Sequence, residues 1–96
     1  MAASKPDFRT VDVVLGAPFD GWKATMKAEG VPARVFIDLQ SGNVERAMYA
    51  VERLIVDHNF LTETGEEAES VLDAPMDALT EVISKWSEAV AALPPR

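Results

Sequence analysis

Thr10-Val11-Asp12-Val13-Val14-Leu15 and Trp22-Lys23-Ala24-Thr25-Met26-Lys27 flank Gly16-Ala17-Pro18-Phe19-Asp20-Gly21, and reading these three stretches decides the fold class. In the first, Val11, Val13 and Leu15 alternate with Thr10, Asp12 and Val14, the period of a half-buried strand. In the last, Trp22, Ala24 and Met26 take one side and Lys23, Thr25 and Lys27 the other. The stretch between them is built from turn formers: proline presets φ, and Asp-Gly tolerates left-handed backbone. Together they predict a β-hairpin with one apolar and one wet face.

Upstream, residues 1–7 read as a loose, flexible start ended by Pro6. Downstream, Glu29-Gly30-Val31-Pro32 breaks the second strand. Arg34-Val35-Phe36-Ile37-Asp38-Leu39 follows, with Val35, Ile37 and Leu39 in phase. It reads as a third strand or extended segment, with the approach to a helix as the alternative. Ser41-Gly42-Asn43 then supplies helix caps. Val44, Met48, Val51, Ile55 and His58 recur at helical spacing, widened by Ala47 and Leu54. They predict an amphipathic helix of about 15 residues ending near Asn59. Phe60 to Glu69 reads as a loop turning at Gly65, in which Glu66, Glu67 and Glu69 are also placed to open a short helix. Asp73-Ala74-Pro75 marks a helix start, and Met76, Leu79, Val82, Ile83, Trp86, Val90 and Leu93 form the clearest apolar stripe in the chain. Pro94-Pro95 stops it. The expectation is a single α+β domain over 1–96: an N-terminal β-hairpin or small antiparallel sheet (β-rich over 8–40), followed by two to three α-helices (helical over 41–93).

Acids outnumber bases 16 to 9 in the 96 residues, for a net charge of −7. The excess is local. Residues 1–56 hold seven acids and seven bases, whereas residues 57–88 hold nine acids against Lys85. Such a chain lacks the clustered Lys and Arg that a nucleic-acid backbone or an anionic membrane requires, so no direct nucleic-acid or membrane partner is expected. Cysteine is absent, which removes disulfides, thiolate zinc sites and thiol nucleophiles. No apolar run approaches the ~20 residues of a membrane span, and the start of the chain lacks the apolar stretch of a secretory signal.

Catalytic patterns are equally sparse. His58 is the sole histidine and has no converging partner, so it reads as a structural residue at a helix end, where its cationic form would favour the dipole. Glu66-Glu67-x-Glu69 does not alternate oxygen ligands around a glycine as a calcium loop does, and reads as a solvated face. No phosphate-cradling glycine loop and no Ser-His-Asp set is present. The expectation is a protein that is not an enzyme and takes no cofactor. Trp86 reads as core, and Trp22 is evenly placed between core and partner contact. Met26, Met48 and Met76 read as fillers of core gaps.

Leu54-Ile55-Val56-Asp57-His58-Asn59-Phe60-Leu61-Thr62-Glu63-Thr64-Gly65, the acidic spacer with Asp73-Ala74-Pro75-Met76-Asp77-Ala78-Leu79, and Ile83-Ser84-Lys85-Trp86-Ser87-Glu88-Ala89-Val90 together resemble the tail assembly chaperones of long-tailed bacteriophages of actinobacteria and related hosts. Phe19-Asp20-Gly21-Trp22 and Arg34-Val35 fit the same pattern. His58 stands where that pattern has an aromatic residue, and Ala74-Pro75 where it has Leu-Pro.

The resemblance implies a protein of the host cell cytoplasm that binds the long helical tape measure protein and keeps it soluble until the tail tube forms around it. A frameshifted longer form would recruit tail tube protein, and the chaperone would be absent from the finished particle. It also implies self-association, since one small protein has to coat a long partner; a monomer stays open. Met48, Tyr49 and Phe60 are the candidate partner-binding residues. Two other readings of the residues stand beside this one: an acidic inhibitor that mimics nucleic acid, and a structural component retained in the tail or at the head–tail joint.

Overall fold

The structure, a computed structural model, describes residues 7–95; the loose start expected at 1–7 lies, but for Asp7, outside the described residues. The hairpin forms as the alternation predicts. Strand β1 (Thr10–Val14) pairs antiparallel with β2 (Lys23–Lys27) in the register Val11–Met26 and Val13–Ala24. Leu15 donates to the Trp22 carbonyl at 2.9 Å, and Gly21 takes the left-handed φ of 85° that the turn needs. Val11, Val13, Leu15, Ala24 and Met26 are buried on one face, while Asp12, Val14 and Lys23 are exposed on the other.

Helix α1 (Ala33–Leu39) replaces the third strand expected there. Val35 and Leu39 are four apart as well as in phase with Ile37, and so short an apolar run fits both periods. The helix turns Val35 and Leu39 into the core and leaves Phe36 and Ile37 exposed. A four-residue linker leads to α2 (Val44–Leu54), and α1 packs chiefly on it. Asn43 is the cap, accepting the Arg46 N–H at 3.0 Å; Ser41 braces the linker by accepting the Asn43 N–H and donating to the Asp38 carbonyl. Asp38 accepts from the Arg46 guanidinium at 2.7 and 3.1 Å and fastens α1 to α2.

The long helix expected to reach His58 stops at Leu54, and Ile55–His58 is strand β3. It completes the sheet in the order β1-β2-β3, pairing antiparallel with β2 through Ala24–His58 and Thr25–Asp57, with an irregularity before Met26–Ile55. The free edge of β2 needs backbone partners, and β-branched Ile55 and Val56 suit a strand. That demand outweighs continuation of the helical stripe. His58 is therefore a strand residue, not a helix-end residue. Asn59 ends β3 as a clasp: it accepts from Lys23 N–H at 2.7 Å and donates to the Gly21 carbonyl at 3.0 Å.

The acidic loop is ordered without the short helix considered for Glu66–Glu69. Ala68 donates to Phe60, Thr62 to Glu66, and Gly65 to Thr62, which makes a small turn closed by the Leu61–Glu67 bridge. A 3₁₀ turn over Val71–Asp73 follows, capped by Ser70. Helix α3 (Met76–Ala91) begins after Pro75, and no side chain, Asp73 included, caps it. It packs on β1, and Trp86 Nε1–H donates to the Lys27 carbonyl at 2.9 Å. Leu79, Val82 and Trp86 join the core as the stripe predicts; Met76, expected in it, is exposed.

The result is an α+β fold with one sheet face covered by helices. The body is elongated, 50 × 27 × 23 Å, with a radius of gyration of 14.1 Å against about 12 Å for a compact chain of this length.

Candidate partner-binding surface

The three residues expected to meet a partner fall in three different environments. Tyr49 lies on α2 among Glu45, Glu52 and Arg53 and is 52% exposed. Met48 is half-buried against the core. Phe60 is 1% exposed, its ring 5.5 Å from Trp22 and 5.3 Å from His58. It is a core residue, and a partner does not reach it in the folded protein. Burial at the mouth of the acidic turn, where the Phe60 carbonyl accepts from the Ala68 N–H, accounts for the correction.

Three further apolar residues of the two-helix unit, unlike Phe60, are at the surface: Phe36 (44% exposed), Ile37 (60%) and Val44. Phe36 keeps one edge toward Trp86, at 6.4 Å between ring centres. Ile37 opens on a groove it shares with Arg34, Asp38 and Arg46. Reading α1 as a strand hides this pair, because a strand turns Phe36 and Ile37 to opposite faces. In a helix, positions 33, 36, 37 and 40 share one face; Pro32 before Ala33-Arg34, with Val35 and Leu39 four apart, is the signal that points there.

The opposite side of the molecule is mixed, with exposed Val14 and Val56 among polar side chains. A shallow groove on the sheet is lined by Asp12, Val14, Lys23, Thr25 and Asp57 of the outer face, with Ala24, His58 and Asn59. His58 is committed within it: its Nδ1 accepts the Phe60 N–H at 3.1 Å. Asp12 accepts from the Thr25 hydroxyl at 3.0 Å. Glu63, Glu66, Glu67 and Glu69 are exposed around the acidic turn, and among the described residues no three acidic or histidine side chains converge as a metal site. Trp22 is half-buried between Phe19 and Phe60, at 4.9 and 5.5 Å.

No helix among the described residues is long and apolar enough to cross a membrane. Comparison of the chain with protein-family models, curated proteins and solved structures finds no match.

Proposed function

We propose that this protein is a tail assembly chaperone of a long-tailed bacteriophage, which holds an apolar, helical tape measure protein in solution in the host cytoplasm before the tail tube encloses it. One observation carries the reading: Phe36, Ile37, Val44 and Tyr49 stand exposed on the α1–α2 unit. Helical partners are bound by such side chains through anchors spaced one turn apart. The acidic stretch over 57–88 complements this surface, because net charge of one sign keeps an assembly dispersed. Recruitment of tail tube protein belongs to the same reading and rests on the resemblance alone.

Co-expression with a cognate tape measure protein tests it. The partner's soluble yield rises and the two co-purify, and Tyr49→Asp weakens the complex at least about tenfold while the melting temperature stays put, since exposed substitutions cost within about 0.5 kcal/mol. An insoluble partner with no co-purification contradicts the proposal.

A second reading, an acidic inhibitor that mimics nucleic acid, draws on the exposed Glu63, Glu66, Glu67 and Glu69. It requires salt-sensitive binding to a basic enzyme, lost when Glu66, Glu67 and Glu69 are neutralised together. A structural role in the tail instead requires stoichiometric recovery of the chain from purified particles.

A further inference from the structure

Among the described residues, nothing pairs with the outer edge of β1. Leu15 donates to Trp22 and Arg9 accepts from Ala28, so the odd-numbered residues turn their backbone groups toward β2. The N–H and C=O groups of Thr10, Asp12 and Val14 point the other way, where no strand lies among the described residues. An edge like this is a template for another strand unless proline, charged side chains or a bulge blunt it. Residues 10–14 contain no proline and a single charge, Asp12, which accepts from the Thr25 hydroxyl, and their pairing with β2 is regular. At one end the edge is closed: Gly16 N–H is taken by the Glu81 carboxylate at 2.6 Å.

We propose that this edge pairs antiparallel with the same edge of a second copy, with Val11 on the twofold axis, so that the two three-stranded sheets become one. The register follows from three constraints. Centring the axis on Asp12 would set two carboxylates opposite each other, which is unfavourable, and would need the Gly16 N–H that Glu81 already holds. Centring it on Val11 uses residues 8–14, all clear of Glu81. Thr10 of one copy then meets Asp12 of the other, a hydroxyl against a carboxylate.

Phe8 of one copy likewise meets Val14 of the other, covering two apolar side chains that are 47% and 59% exposed in the single chain. The Phe8 ring is seated over Gly30, where a side chain would collide with it, and has to turn outward to meet Val14 of the other copy.

A foreign strand would find the same ladder; a second copy also supplies the matching apolar residue at each end. The charge distribution agrees, since the edge belongs to the part of the chain in which acids and bases balance. The contact is small, at the low end of specific interfaces, and the dimer dissociates in the micromolar range. This inference does not rest on the chaperone reading and fails or stands without it.

Because the chain has no cysteine, engineered thiols report the register directly. Paired residues in the proposed ladder lie about 5.5 Å apart at Cα, within reach of a disulfide. Full-length Thr10→Cys and Asp12→Cys, mixed and oxidised, crosslink to each other faster than either does to itself. Preferential Asp12→Cys self-crosslinking overturns the register. In sedimentation from micromolar to millimolar concentration, the wild-type chain passes from monomer to dimer; a monomer throughout overturns the proposal.

Asp12→Pro removes an outward N–H and leaves the β2 ladder intact, and raises the dimer dissociation constant at least about tenfold. Should that variant melt early, Val14→Lys, at an exposed position, makes the same test. A dissociation constant unchanged in a folded variant again overturns the proposal.

Discussion

Phe60 and Tyr49 show how burial separates two aromatic residues that look alike in the sequence. Phe60 closes the core between Trp22 and His58, and truncating it removes a whole ring from a site with almost no solvent contact. Phe60→Ala should lower stability by about 3–5 kcal/mol, read by urea denaturation; a loss under about 1 kcal/mol would return Phe60 to the surface. Tyr49 makes no comparable contact and is the better reporter of binding. Its position off the apolar stripe of α2 was visible from spacing alone. Phe60 follows no periodic pattern, and its burial depends on distant partners: Trp22 across the sheet and the turn that folds back through Ala68.

At the scale of elements, the strongest local periodicities survive folding and the ambiguous ones yield to tertiary demand. The hairpin and α3 are legible because their alternation, turn residues and proline boundaries all agree. The segment from Ala33 to Leu39 is not, since its few apolar residues satisfy two periods at once. Ile55 also serves two periods: it lies four residues after Val51, which extends the helical stripe, yet it pairs with Met26 in the sheet. What decides is the open edge of β2, which lies outside any local window. The exposed pair on α1 was hidden for the same reason, because a residue's face cannot be assigned before its period is. The start of α2, by contrast, is set locally. Asn43 holds the Arg46 N–H, so Asn43→Ala should cost about 1 kcal/mol and fray amide exchange at the first turn of α2. Unchanged exchange there would show that the Asp38–Arg46 clamp alone suffices.

Across the whole molecule the acidic charge is gathered in one stretch, whereas exposed apolar side chains lie on the two-helix unit and also at Phe8, Val14, Val56 and Met76. The two-helix unit holds Phe36, Ile37, Val44 and Tyr49 among balanced charges, while the acids gather over 57–88 on the turn and α3. Among the described residues, the elongated body keeps one sheet face free of helices and one strand edge free of a paired strand. On the proposed readings, one surface takes an apolar helix, another takes a second copy, and the charged remainder opposes precipitation. The central claim is that partner binding uses α1 and α2. Hydrogen exchange of the complex with the tape measure protein tests this most directly. The account predicts new amide protection over residues 33–54, with residues 61–69 exchanging as in the free chain. Protection confined to 61–69, with 33–54 unchanged, would contradict it.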